Sequence, residues 1–504
     1  MKILMVFTLL PLCVTGQVPR VWTQAAVDSL EVPLTNPKYS PVHIREEAYY
    51  RVPARIIYRN YPVYTPEREP AGYMDWLKSR APEVAFDASV LHTREQWNAA
   101  GALVFNAPTS FNPVFFTAEN LRDPGFFRRA GMPVAKDGTI PFARWVIRKT
   151  GTVELGSMGC NTCHTRVLGD GTVVPGAQGN NANDRQGALL LRASAAAIGE
   201  AKTLDRVRGF ARQFETPWVP GDINQLARTM SLDGLIAAGE AIPPGVTARA
   251  NTSMFLPPQI PDLIGVKDRH YLDHTGLIRQ REIGDLMRYS SLAQDVFPQD
   301  RYGPAVPNVG VPNVGVPNMG VPNAGAPNAN APGARYSDEQ LYALAQYLYS
   351  LRPPVNPNRA DAASRRGKAV FATQACGNCH TPPLYTNNKL SPVEGFDPPA
   401  GEVAADVIPG GVGTDPRYAM ETHKGTGYYK VPSLKGVWYR GPLGHDGAAA
   451  SLDEWFDPAR TGSEYVPQGF RGFDGKARSI AGHRFGLQLT EGERRDLIAF
   501  LRTL

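Results

Sequence analysis

Two stretches far apart in the chain carry the same alternation of apolar and polar positions. In "SDEQLYALAQYLYSL", Leu341, Leu344 and Leu348 recur at helical spacing and make one apolar face. Ser337 stands three residues before Gln340, the pattern of a capping box, and Pro353-Pro354 close the segment. The carboxyl-terminal "TEGERRDLIAFLRTL" repeats this grammar, with Thr490 and Glu493 as the box and Leu497, Ile498 and Leu501 as the face. A third helix is predicted in "SRRGKAVFATQACGNCH", which carries Gly367, Val370 and Phe371; a small residue at Gly367 lets a second helix cross closely.

Elsewhere the pattern breaks. Val306 to Asn330 repeats five residues (VPNVG, VPNVG, VPNMG, VPNAG, APNAN), and a proline in every repeat forbids a helix or a central strand. Residues 306–333 are therefore expected to be a surface loop inside a domain, because a closing helix comes after them. Residues 17–140 hold no cysteine but many aromatics, as in "YYRVPARIIYRNYPVYTPEREPAGYMDWL". They read as an irregular amino-terminal extension wrapped on the remainder of the chain.

At the start of the chain, Lys2 precedes an apolar run from Ile3 to Leu12, and Val14-Thr15-Gly16 supplies small residues for cleavage before Gln17. Residues 1–16 are read as an export signal, so a periplasmic or secreted location is expected. Cys13 follows Leu12 where a lipid-anchored protein needs a small residue, and no later run approaches ~18 apolar residues, so no membrane anchor is expected. A chain of 504 residues implies two or three domains. Its 42% hydrophobic content suffices for packed interiors, while 49 glycines and 45 prolines imply many loops. The net charge of +6 is mild; without a basic block or recognition motif it gives no support to nucleic-acid binding.

With the signal removed, four cysteines remain, and all four lie in Cys-x-x-Cys-His: Cys160, Cys163 and His164, then Cys376, Cys379 and His380. In an oxidising compartment a bare Cys-x-x-Cys would be a disulfide or a redox pair, and zinc could use both pairs. Neither explains the histidine directly after each second cysteine. Covalent attachment of haem c does, through two thioethers and an adjacent proximal imidazole. Two haem c groups are therefore expected. The expected fold class is mainly α: two cytochrome c-type haem domains, 141–355 and 356–504, with the extension before them.

At "YYKVPSLKGVWYRGPLGHDGAAASLDEWFDP" the second unit resembles the bacterial di-haem cytochrome c peroxidase superfamily, which includes the MauG-type enzymes. Lys430 to Leu434, Gly441-Pro442, His445-Asp446-Gly447 and Ser451-Leu452 carry the likeness. "CNTCHTRVLGDGTVVPGAQGN" and "GLIRQREIGDLMRY" are more narrowly similar to the di-haem rubber oxygenases. The resemblance implies one haem for chemistry and one for electron storage or transfer. It also implies a calcium ion between the domains, for which the chain offers no assignable ligands.

An iron with protein ligands on both faces transfers electrons, whereas an open one binds peroxide or dioxygen. Peroxidase relatives place a distal histidine soon after the first attachment motif, but here that stretch reads "VVPGAQGNNANDR". The first haem, on His164, is therefore expected to be open; the alternative is that His270, His274 or His92 folds back onto it. For the second haem, "SLDEWFDPARTGSEY" lacks the methionine of the peroxidases, and His483 in "AGHRFGLQLT" is the expected sixth ligand, ahead of Met420, His423 or Tyr465. The motif implies that His445 organises the domain interface; otherwise it is a loop histidine. Trp218 is a candidate bridge between haems or a structural tryptophan. Arg281 and Glu282 are candidate acid–base groups or a solvated helix start, and Phe255 lines an apolar distal pocket or belongs to the core. The expected function is an exported di-haem oxidoreductase. Three versions stand: a peroxidase fed by a small electron-donor protein, an oxygenase of an apolar substrate, or an electron carrier with both irons six-coordinate.

Overall fold

The computed structural model describes residues 18–248, 252–294, 299–302, 334–399, 406–476 and 479–504. The export segment and the proline-rich repeat lie outside the described residues. Helices dominate, with small antiparallel sheets between them.

Strand β1 (Asn60–Tyr64) is followed by helix α1 (Arg94–Asn106) and then by the long strand β2 (Thr139–Lys149) and β3 (Thr152–Gly156). The strands form one antiparallel sheet in the order β1-β2-β3. β2 buries residues on both faces because its Ile140, Phe142, Trp145 and Ile147 pack among Leu77, Phe116 and Phe126. This sheet positions the first Cys-x-x-Cys-His motif. β3 ends at Gly156, and the single helical turn α2 (Cys160–Cys163) is tied back to β2 by Asn161 Nδ2 donating to Pro141 O (2.7 Å) and the Thr162 hydroxyl donating to Phe142 O (3.3 Å).

Three helices come next, α3 (Asn183–Ile198), α4 (Glu200–Ala211) and α5 (Leu232–Glu240), joined by the buried side chains Ala188, Val207, Leu235 and Ile236. After α6 (Ile283–Gln294), helix α7 (Asp338–Ser350) carries the expected capping box with both hydrogen bonds formed. α7 crosses α1. A Cβ on Gly101 would overlap the Ala343 carbonyl oxygen and stand 2.6 Å from Tyr347 Cβ, so the backbones approach closely only because position 101 has no side chain.

The second unit repeats the device. α8 (Ala362–Thr373) crosses α9 (Glu491–Arg502), whose Thr490–Glu493 box is complete. At the crossing a Cβ on Gly367 would overlap the Asp496 carbonyl oxygen and lie 2.9 Å from Phe500 Cβ. Arg366 clamps the contact with two bonds of 2.7 Å to the Asp496 carboxylate. Between these helices, β4 (Leu390–Pro392) pairs with β5 (Tyr428–Lys430).

The amino-terminal extension contributes to the first core. Val21, Trp22, Leu30 and Val104 share one buried cluster with Leu341, Leu344 and Leu348. Helix α1, within residues 17–140, therefore stands to α7 as α8 stands to α9. The apolar face of α7 needs cover on more than one side, and the preceding segment supplies it.

Candidate functional site

His164 closes α2 with its Nδ1 3.0 Å from Pro261 O. A carbonyl only accepts, so Nδ1 carries the proton and Nε2 carries the lone pair suited to a metal. Cys160, Cys163 and His164 line a cavity of about 430 Å³. That volume falls in the range of cofactor and ligand sites, roughly 300–1,000 Å³. Much of the wall is apolar, from Val207, Phe210, Phe214, Leu235 and Ile242. The lining also includes the charged pair Asp273 and Lys424. Burial works against the Asp273 charge, but Lys424, His274 and the Tyr289 hydroxyl (2.9 Å) hold its carboxyl well below the usual carboxylate range.

The second motif has the same anchor. His380 Nδ1 lies 3.1 Å from Pro432 O and 3.3 Å from Tyr385 O, which turns Nε2 toward a metal position. Opposite stands His483, its ring centre 6.5 Å from that of His380. The two rings, inclined at 61°, are close enough that His380 and His483 could both hold one haem iron. Burial, then the neighbouring His380 and Arg460, push the His483 imidazole down to about 4, so it is neutral at pH 7, the form that binds metal. Its Nδ1 is buried without a hydrogen-bond partner. Arg460, fully buried, fixes the His483 loop by donating to the carbonyls of Trp455 (2.6 Å), Ile480 and His483 (2.7 Å). The residues at both motifs therefore fit a haem iron: a proximal imidazole of set tautomer at each, room for a macrocycle at the first, and an opposed imidazole at the second. No disulfide joins the four cysteines. Among the described residues no group of three or more His, Cys, Asp or Glu is arranged to hold a bare metal ion.

The remaining sequence candidates are spread more widely. His270 and His92 are exposed, whereas His274 lines the first cavity with Nε2 donating to Gln259 O at 2.6 Å. Burial, then Lys430, depress His274 to about 4. His423 belongs to the same wall, its Nε2 2.7 Å from Glu215 O, and the Tyr465 hydroxyl donates to Glu454 (2.7 Å). Met420 packs beside Tyr418 and Tyr429. Trp218 is stacked between Tyr39 and His423, each at 5.4 Å, against the wall of the first cavity. His445 lies between Tyr429 and Tyr418 and lines a second cavity of about 380 Å³. Phe255 also lines that second cavity, packed on Phe473 at 4.8 Å. Arg281 and Glu282 stand outside the lining of the first cavity. Arg281 is bound to the Asp285 carboxylate and Glu282 is largely exposed beside Arg288, because the start of α6 turns its charges into an ion-pair chain.

Three groups were missed by sequence reasoning. Asp184, at the start of α3, lines the first cavity; Oδ1 accepts from Ala248 N–H (3.3 Å), while Oδ2 is buried without a partner. Burial pushes its carboxyl up to about 7. Arg460 and Lys430 are the others. Lys430 was visible only as a motif letter, and nothing in the pattern around Asp184 or Arg460 distinguishes them from surface charges.

No family model matches the chain. A stretch of 147 residues, 28% of this chain, is 31% identical to the methylamine utilization protein MauG of Methylorubrum extorquens and spans 35% of that protein's length. Among solved structures, the chain is similar to hydrazine synthase of Kuenenia stuttgartiensis pressurised with xenon, at a TM-score of 0.29 and 16% identity over 60% of this chain and 87% of that one. It is also similar to a MauG-like protein associated with microbial copper homeostasis, at a TM-score of 0.21 and 19% identity over 33% of this chain and 56% of that one.

Proposed function

We propose that the chain is an exported di-haem c-type oxidoreductase in which the haem on Cys160, Cys163 and His164 meets peroxide or dioxygen and the haem on Cys376, Cys379 and His380 passes electrons. One observation carries the reading: the two motifs are anchored alike but finished differently. His380 faces a second imidazole at 6.5 Å, whereas His164 opens on a cavity of about 430 Å³. The partial likeness to MauG supports the same class. When bound, a haem with an open face supplies peroxide or dioxygen chemistry, and one with two axial ligands supplies electron storage and transfer.

The chain's own residues each have a part in this. Pro261 O and Pro432 O hold the two imidazoles in the ligating tautomer. Arg460 keeps the His483 loop in place. Asp184, whose carboxyl lines the cavity and is pushed up to about 7 by burial, serves as the proton store in place of Arg281 and Glu282. The apolar wall excludes water and favours a greasy substrate over a charged one, which supports the oxygenase version beside the peroxidase version. Among the described residues no helix is long and apolar enough to cross a membrane. A small electron-donor protein is the proposed partner in the peroxidase version.

The test is carbon monoxide binding to the reduced protein, then peroxide turnover with a reduced donor beside oxygen uptake on polyisoprene. One haem of two should bind the gas. Two refusals would leave an electron carrier.

A further inference from the structure

The amino-terminal extension does more than cover α7. Glu31, Pro41, Thr109, Pro113, Val114 and Phe115, all from residues 17–140, stand in the wall of the first cavity with Cys160, Cys163 and His164. Of these extension residues Glu31 alone carries a charge, and its backbone is fixed to the same wall. Glu31 bridges to Ile278, Val32 N–H donates to Leu277 O (2.7 Å), and Arg279 N–H donates to Leu30 O (2.9 Å). The Arg279 guanidinium donates to the Glu31 carbonyl. Leu277 and Ile278 line the cavity, and Leu30 and Val32 on either side of Glu31 are buried.

A histidine stands at the end of the Glu31 side chain. His43 closes the short strand Pro41–His43 and places Nε2 3.3 Å from Glu31 Oε2. The His43 and Glu31 side chains are 6% and 14% accessible, so the pair is enclosed. Trp22, fully buried, meets the imidazole edge-on at 5.8 Å and donates from Nε1 to the carbonyl of the next residue, Ile44 (3.0 Å).

A carboxylate–imidazole pair taken out of water gains little stability over an apolar pair of the same size. What distinguishes it is chemistry, because an imidazole exchanges protons near neutral pH and can pass one to a carboxylate beside it. The other carboxyls of the wall are differently placed: Asp273 is held by Lys424 and Tyr289, and Asp184 is enclosed at the start of α3. Reduction of peroxide to two waters takes up two protons with two electrons, the electrons coming from the proposed donor. A single proton stored at Asp184 does not complete that turnover, so a mostly apolar cavity needs a route of resupply. We propose that Glu31 and His43 form the proton relay of the first cavity, which makes the extension a working part of the site. The assignment rests on the open-haem reading above.

The holoprotein and its Glu31→Gln, Glu31→Asp and His43→Gln variants are compared by rapid mixing with two small ligands. Hydrogen cyanide must surrender its proton to the protein before cyanide binds ferric iron, whereas carbon monoxide binds ferrous iron with no proton transfer. The cyanide on-rate should fall by about 10²-fold in Glu31→Gln and by about tenfold or more in His43→Gln, with the carbon monoxide on-rate at its wild-type value in both. Glu31→Asp keeps the acid and should recover much of the cyanide rate. Should one variant fail to fold, the other reads the same loss. An unchanged cyanide rate in a folded Glu31→Gln or His43→Gln variant would overturn the proposal. Equal losses for the two ligands would overturn it as well, since the pair would then only shape the wall. Wild-type protein that takes up neither ligand would instead sink the open-haem reading itself.

Discussion

Replacing Gly367 by alanine tests how tightly α8 and α9 cross. The new methyl would stand 2.9 Å from Phe500 Cβ and overlap the Asp496 carbonyl oxygen, a backbone atom that cannot turn aside. Carbon atoms pack at about 3.5–4.0 Å, so α9 must retreat by roughly 0.6–1.1 Å at Phe500 and further at Asp496. Overpacking of this kind costs about 1–3 kcal/mol, and the backbone clash puts it at the upper end. For a unit of this size each kcal/mol is worth roughly 2–4 °C in Tm, so a fall of about 6–12 °C is expected. Gly492→Ala is the control. It sits in the same helix with nothing within 4 Å of its Cβ, and alanine there should be neutral or stabilising by up to about 1 kcal/mol. Gly101→Ala repeats the clash in the first unit, against Ala343 and Tyr347. Thermal unfolding of the haem-loaded protein, monitored in the far ultraviolet, reads all three. If Gly367→Ala melts within about 1–2 °C of the wild type, the close-crossing argument is refuted, because a methyl group would have found room.

The proposed haem ligands and the cavity carboxyl give further expected outcomes. His483→Ala should turn the second haem high-spin and let it take up added imidazole; an unchanged spectrum would exclude His483 as its ligand. Arg460→Met leaves the carbonyls of Trp455, Ile480 and His483 buried without their donor, at a cost of about 1–3 kcal/mol for each one left unsatisfied, and should give a mixed-spin second haem; a purely low-spin spectrum counts against the positioning role. Asp184 has its carboxyl raised from 3.8 to about 7, so the unfolded chain loses the proton first and stability falls as pH rises from about 4 to 7. Asp184→Asn should remove that slope, with a gain that grows to on the order of 4 kcal/mol above pH 7, about 1.4 kcal/mol for each of about three pH units. Parallel denaturation curves for the two proteins across that range would show that Asp184 is not held protonated.

Local patterns in the chain were legible where neighbouring residues decide the outcome. The capping boxes at Ser337 and Thr490 and the apolar faces behind them form as the spacing requires, because a helix turn closes within four residues. Gly367 was readable for the same reason, as a small residue on a predicted helix. Its counterpart Gly101 was not read, since nothing near "AAGALVF" shows that a helix more than two hundred residues away will lie against it. Arg281 and Glu282 looked like acid–base candidates by their place in a motif, yet their charges are taken up along α6.

Sequence alone determined the two Cys-x-x-Cys-His motifs, since each fits within a single turn and is recognised by that spacing. Tertiary structure decided what stands across from each histidine. His380 and His483 are brought to 6.5 Å by the crossing of α8 and α9 and by the Arg460 clamp, while the cavity beside His164 takes its wall from segments as distant as Phe115 and Lys424. An iron's open or closed face is a property of groups converging from many parts of the chain, and convergence depends on packing that no local pattern records.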